Sequence, residues 1–328
     1  MTLIRLGYVA MSMELKNASP SKTMTFAQFS KLADREAAIR KLEKIAKSNL
    51  TNCLRLLIHN EANGIEFFRF SSKLIPLANH PELLDWNYMK AIKEETDAIK
   101  TFLINHPHMR VDFHPDHFVI LNSEDKHILQ ASIKTLRMHY YLLKAFGLSP
   151  AHRCVLHIGG LYQDKEQALE RFIHNWGYIP VEIQEMVILE NDDTVFGIHD
   201  TLYLCEKLSI PMVFDLHHHK MNTQGIWEEE WSRIVNTWKK SNLPVKVHLS
   251  SPRNEKNKKA HADHVQKEEI IELVKGNHNQ VSQIDCMLEA KQKDFAVFEL
   301  IEQLKRLDDF FILKGATLSY EPLTNKSR

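Results

Sequence analysis

Short apolar runs alternate with longer stretches whose apolar positions recur at helical spacing, and this alternation repeats along the whole chain. The first run covers residues 4–9. A charged helix is predicted over 35–63, with Leu42, Ile45, Ala46 and Leu50 on one face and Gly64 as its stop. Further strands are predicted at 65–70, 109–113, 153–158, 187–189, 210–214, 245–249 and 284–288. Between and after them, helices are predicted at 87–105, 124–146, 165–176, 200–208, 227–240, 268–275 and 294–307. Eight successive β-then-α units predict an α/β fold, a single TIM-type (β/α)8 barrel. A doubly wound sheet is the weaker alternative, because no Gly-x-Gly-x-x-Gly follows the first strand. Residues 1–328 are expected to form one domain with a short tail from about 315. The Lys/Asn-rich stretch 252–259 is expected to be a loop within the barrel.

Composition narrows the chemistry. Among 328 residues, 42 Lys+Arg balance 42 Asp+Glu, which excludes a nucleic-acid binder working through bulk positive charge but not a local basic groove. Only 10 residues are glycine, leaving little room for Gly-rich phosphate loops, so no nucleotide cofactor is expected. Cys53, Cys154, Cys205 and Cys286 lie far apart without a Cys-x-x-Cys, as reduced, buried thiols do. Arg5 interrupts the apolar N-terminus and no apolar run is long enough to span a bilayer, so a soluble, cytoplasmic protein is expected, and a monomer. Histidine is the outlier, with 19 copies.

Those histidines gather where a barrel keeps its chemistry, at the C-terminal ends of its strands. The third run ends in His114-Pro115, the fourth in His157 and the fifth in Glu190-Asn191-Asp192-Asp193. The sixth ends in Asp215 with His217, His218 and His219, the seventh carries Lys246 and His248 with His261 in the following loop, and the eighth ends in Glu289. His80 precedes Pro81 after the second run. Singly, each has an ordinary explanation: a hydrogen-bonded core histidine, a helix cap, a snorkelling lysine. Recurrence at one end of six consecutive units points instead to a metal site at the C-terminal ends of the strands. Nine donors exceed the three or four of one catalytic zinc and fit two or three divalent ions bridged by a carboxylate, with Glu190 the candidate bridge. Imidazole and carboxylate without thiolate favour Mn2+, with Zn2+, Mg2+ or Co2+ as alternatives. Such clusters suit phosphodiester hydrolysis, because the ions activate water, orient the phosphate and stabilise the leaving oxygen.

Several ordered blocks give the chain a resemblance to the UV damage endonucleases (UvdE family), relatives of the endonuclease IV-like apurinic-site nucleases. The blocks are Phe68-Arg69-Phe70-Ser71-Ser72 with Pro76 and His80-Pro81, His157-Ile158-Gly159-Gly160, Leu189-Glu190-Asn191-Asp192-Asp193, Phe214-Asp215 with His217-His218, Lys246-Val247-His248-Leu249-Ser250-Ser251, and His261-Ala262-Asp263. The resemblance implies a metal-loaded barrel, usually active with Mn2+, that nicks duplex DNA immediately 5′ to cyclobutane dimers and (6-4) photoproducts, leaving a 3′-hydroxyl and a 5′-phosphate. It also implies the ligand set His80, His114, His157, Glu190, Asp215, His218, His248, His261 and Glu289, with His217 and His219 less favoured. Glu190, Lys246 and Glu289 are the candidate catalytic residues. Lys246 shares a strand face with His248, so its ammonium is expected to be neutral, carboxylated or aimed at a phosphate.

The chain departs from the family at the segment that probes the lesion. Gln-Tyr is common there; here His117-Phe118 follow His114-Pro115. His117 can donate a hydrogen bond and Phe118 can wedge into a disrupted stack, and Tyr8 is a candidate second stacking residue. Arg69, Lys165, Lys291 and Lys293 are expected to meet flanking phosphates of UV-damaged double-stranded DNA. The rival readings are an apurinic-site endonuclease, a metal-dependent sugar isomerase on the same barrel, and a damage-binding protein without catalysis.

Overall fold

The computed structural model describes residues 1–277 and 280–322. Twelve strands are formed among them: β1 (Thr2–Val9), β2 (Phe67–Arg69), β3 (Arg110–Asp112), β4 (Cys154–Leu156), β5 (Val187–Glu190), β6 (Met212–Asp215), β7 (Val245–Leu249), β8 (Pro252–Asn254), β9 (Asn257–His261), β10 (Gln283–Leu288), β11 (Phe310–Lys314) and β12 (Thr317–Tyr320). Eight of these, β1 to β7 and β10, run parallel in a near-closed barrel. The ring closes through β10 against β1 and, between β3 and β4, through a single parallel bridge from Phe113 to Cys154. The α/β barrel expected from the hydrophobic pattern is therefore the observed fold.

Helices cover the outside, and their starts follow from local chemistry. The side chains of Asp34, Asp125 and Asp164 accept backbone N–H groups at the starts of helices Arg35–Ala62, Lys126–Ala145 and Lys165–Trp176. After the first of these helices the chain turns at Gly64 (φ 64°), packed so closely on Gly315 that a Cβ there would lie 2.8 Å from the Gly315 Cα.

Three segments differ from expectation. The predicted helix 87–105 breaks at Ile92, whose side chain is buried and whose backbone (φ −98°, ψ 12°) joins helices Tyr88–Ala91 and Lys93–Asn105. The loop 252–259 is instead an antiparallel hairpin, β8–β9. The segment expected as a tail from about 315 contributes the buried strand β12, which pairs antiparallel with the first half of β1 and with β11. The remainder of that tail, 323–328, lies outside the described residues.

Strand parity sorts the side chains between two environments. Ile4, Leu6 and Tyr8 of β1 face the helices, whereas Arg5 faces the barrel interior and meets Asp285 of β10. The interior is charged to an unusual degree. Arg5 forms two 2.7 Å hydrogen bonds to Asp285, and Arg110 reaches Asp285 at 2.9 Å and Asp112 at 3.1 Å. This layer is the floor on which the strand-end residues stand.

Candidate metal centre

Glu190, the last residue of β5, points inward and is buried at the centre of four imidazoles. One carboxylate oxygen lies 2.9 Å from His114 Nε2 and 3.7 Å from His157 Nε2; the other lies 2.8 Å from His248 Nδ1 and 3.4 Å from His218 Nδ1. Asp215, ending β6, is 3.7 Å from His218, and Glu289, just beyond β10, is 3.3 Å from His248 and 3.7 Å from His261. Three groups have donor atoms within 4.8 Å of one another: His114–His157–Glu190, Glu190–Asp215–His218 and Glu190–His248–Glu289. Glu190 belongs to all three, so these His/Asp/Glu clusters form one or more candidate divalent metal sites at the C-terminal ends of the strands.

The donor set fits a metal on a second ground. The buried Asp215 Oδ2, 3.7 Å from His218 Nδ1 within the second of these groups, has no hydrogen-bond partner. Leaving such an atom unmet costs about 1–3 kcal/mol, and coordination would meet that cost. Protonation points the same way at Glu190, His248 and His114. Burial works to raise the Glu190 carboxyl, but His248, His157, His114 and His218 hold it well below the usual range. Burial pushes His248 down to about 4 and lowers His114, so both are neutral imidazoles, the form that coordinates. Burial opposes protonation of His218, yet Asp215 and Glu190 push it up to about 11, so this imidazole has to give up a proton before it can coordinate.

Asn191 escaped the sequence reading. Its side-chain amide donates to the Asp215 carbonyl and accepts from the Asp215 N–H, both at 2.9 Å, locking the ends of β5 and β6 together. Asp192 and Asp193 serve the adjoining turn: Asp192 accepts the N–H groups of Thr194, Val195 and Phe196, and Asp193 pairs with Lys259.

His80 is in none of the three groups. Its Nδ1 accepts the Glu82 N–H at 3.2 Å, and its ring stacks on Phe26 at 3.8 Å, so it caps the short 3-10 helix Pro81–Leu83 rather than facing Glu190. Lys246 stands one layer below His248. Its ammonium is 3.1 Å from Asp112 and lies over the Phe67 ring, with burial lowering its pKa to about 8 against the pull of Asp112. A fourth group, Glu14, His59 and Asp294, is explained by hydrogen bonds: Asp294 accepts from Ser12, from the Met13 N–H and from His59.

The sequence profile of the UV-endonuclease UvdE family matches residues 4–321. The chain belongs to the UvdE family. A UV DNA damage endonuclease of Halalkalibacterium halodurans is 50% identical over 321 residues, which span 97% of this chain and 99% of that protein. The crystal structure of SacUVDE superposes with a TM-score of 0.79 at 30% identity, covering 93% of this chain and 99% of that one. Endonuclease IV from Thermus thermophilus shares the fold at 12% identity, with a TM-score of 0.55 over 92% of this chain and all (100%) of its own.

Around this UvdE-family centre the expected DNA contacts divide. Phe118, in the loop after β3, is 74% exposed, and the His117 ring lies against it at 4.1 Å; a core role for Phe118 is excluded. Lys291 is also exposed. Tyr8 is not available for stacking: it is buried on the outer face of β1, its hydroxyl bonds Asn60 Oδ1 at 2.6 Å, and its ring packs edge-on against Phe68. Arg69 is not a free phosphate ligand either. It points inward from β2 and pairs with Glu289. Lys165 is half-exposed and bound to Asp200 at 2.9 Å. Lys293 is partly buried; burial and Arg69 lower its pKa.

Proposed function

We propose that the protein is a metal-dependent DNA repair endonuclease that nicks duplex DNA immediately 5′ to UV photoproducts, leaving a 3′-hydroxyl and a 5′-phosphate. The observation that carries this reading is the buried Glu190 carboxylate shared by three donor groups at the barrel mouth of a UvdE-family chain. In this reading Glu190 would be the shared ligand, His114, His157, Asp215, His218, His248, His261 and Glu289 would complete the set, and two or three ions would be held. A carboxylate in each group favours Mn2+. When bound, the ions supply positive charge to the scissile phosphate and acidify a nucleophilic water.

The remaining work falls to protein side chains. Arg69 neutralises part of Glu289 and fixes its orientation toward His248. Against the pull of burial, Arg110, Lys246 and Arg153 hold Asp112 ionised and Arg110 and Arg5 hold Asp285 ionised, giving the mouth a charge-paired floor. Above the centre, the exposed Phe118 with His117 enters the stack that a photoproduct has already weakened, which costs less than opening normal duplex. No helix among the described residues is long and apolar enough to cross a membrane.

The test is conversion of supercoiled plasmid to open circle in Mn2+, comparing UV-irradiated with untreated DNA. Cutting confined to the irradiated plasmid and abolished by chelator supports the reading. Equal cutting of both plasmids removes the lesion specificity, and tight binding without cutting reassigns the protein as a damage binder.

A further inference from the structure

The neutral charge balance of the chain conceals one strongly basic element at the barrel mouth. The hairpin Pro252–His261 carries Arg253, Lys256, Lys258 and Lys259 against the single acid Glu255, and residues 253–259 are all exposed. Its base is fastened to the centre. His261, at the end of β9, lies 3.7 Å from Glu289; the Ala262 N–H donates to Ser251, and the Lys291 N–H donates to Ala262. Beneath it, His217 is 1% exposed and packs edge-on against His261 at 5.7 Å. On the far side, Lys259 Nζ donates at 2.8 Å to the Asp193 carbonyl and to Thr194 Oγ1, so the hairpin leans over to the loop after β5. It is tied down at its base and at Lys259, beside the candidate metal ligands.

Its charges are not all spent on that anchoring. Lys259 is used in the strap to Asp193, and Lys258 is 3.2 Å from Glu255. Arg253 and Lys256 have no ion-pair partner among the described residues. Two unpaired cations on an anchored ribbon offer positive charge to an anionic partner. Topology fixes where it sits. In the eight-stranded ring, β3 and β7 stand four strands apart, so the loop bearing Phe118 and the hairpin following β7 face each other across the mouth, with Glu190 between them.

We propose that hairpin β8–β9 is a backbone clamp that holds duplex DNA across the barrel mouth, Arg253 and Lys256 contacting phosphates on the side opposite Phe118. The inference rests on the DNA-nicking reading for its partner. It adds a division of labour: Phe118 answers to the lesion, and the hairpin answers to any duplex. Such contacts position the DNA without reading sequence or damage, and they release counterions when they form.

The test uses undamaged duplex, so that its outcome is separate from that of nicking. Binding of a short undamaged duplex to the Mn2+-loaded protein is measured by anisotropy across a salt series. For B-DNA the slope of log K against log salt is about −0.9 per phosphate contact, so R253A/K256A is expected to flatten it by about 1.8. The variant should also bind several-fold more weakly at low salt, and on irradiated DNA it should raise KM with kcat unchanged. The control K239A/K240A removes the same charge from exposed positions next to helix Trp227–Thr237, before β7 and thus at the opposite end of the barrel. It should leave the slope at the wild-type value. An unaltered slope in R253A/K256A, an equal flattening in the control, or no duplex binding by the wild type would overturn the clamp. A wild-type protein with a steep, hairpin-dependent slope but no nicking of irradiated plasmid would retain the clamp and sink the nuclease reading.

Discussion

Phe118→Ala separates lesion recognition from folding more cleanly than any other single change in this protein. The ring is 74% exposed and its neighbour His117 is exposed as well, so truncation removes almost no buried surface. Folding stability should change by no more than about 0.5 kcal/mol. Phe118 lies four residues beyond His114, and four extended residues span at most about 14 Å, so the ring stays within one loop's reach of the Glu190 cluster. Stacking a base on an aromatic side chain contributes about 1–3 kcal/mol, which is about 5- to 150-fold in binding. The expected result is a drop of about 10- to 100-fold in kcat/KM on a duplex carrying one cyclobutane dimer. Affinity for undamaged duplex should be unchanged, and Phe118→Trp should retain most activity. Metal content and urea midpoint serve as controls. An Ala variant that cuts the dimer at the wild-type rate would refute the wedge, and a loss of more than about 2 kcal/mol in stability would show that Phe118 belongs to the packed structure instead.

Three further outcomes follow from the site and its floor. Glu190→Gln removes the one carboxylate common to all three donor groups, so metal stoichiometry by elemental analysis should fall and nicking should be lost, while the circular dichroism spectrum is retained. Asp285→Asn leaves the buried guanidinium of Arg5 uncompensated and should cost about 3–5 kcal/mol in urea unfolding; a loss under about 1 kcal/mol would mean that the floor is not a structural element. His139, away from the metal centre, donates from Nδ1 to the Thr135 carbonyl, and burial pushes its pKa down to about 4. A depressed histidine is charged more readily in the unfolded chain. Its share of stability is therefore complete above about pH 6.5 and is lost as pH falls toward 4, at about 1.4 kcal/mol per pH unit. His139→Phe should flatten the pH dependence of the urea midpoint in that interval; an unchanged slope would contradict the assignment.

Much of the barrel was legible because β-strand runs and amphipathic helices leave different periods in the sequence, and the recurrence of His114, His157, Glu190, Asp215, His248 and Glu289 at strand ends marked one face as functional. What stayed hidden depended on partners distant in sequence or on strand parity. Arg5 and Asp285 are 280 positions apart, and nothing local joins them. Tyr8 read as a mouth residue because it lies at the C-terminal end of the first strand, next to its last residue Val9, yet it shares parity with Ile4 and Leu6 and so faces the helices. Arg69, with the opposite parity, turns inward to Glu289 rather than outward to DNA. His80 carried a His-Pro signature like that of His114-Pro115, but its loop uses the ring to cap Pro81–Leu83 against Phe26. Strand β12 was missed because its pairing is with the first strand of the chain, so that Thr317–Tyr320 looked like a tail when read alone.

The central claim is that the Glu190-centred cluster cuts the phosphodiester bond beside a UV lesion. Its most direct test is a 5′-end-labelled duplex containing one cyclobutane dimer at a known position, incubated with protein and Mn2+ and resolved beside a sequencing ladder. The expected product is a single fragment ending in a 3′-hydroxyl immediately 5′ to the dimer, absent with chelator and absent from the undamaged duplex. Intact labelled strand in the presence of Mn2+, or fragments common to damaged and undamaged duplexes, would contradict it.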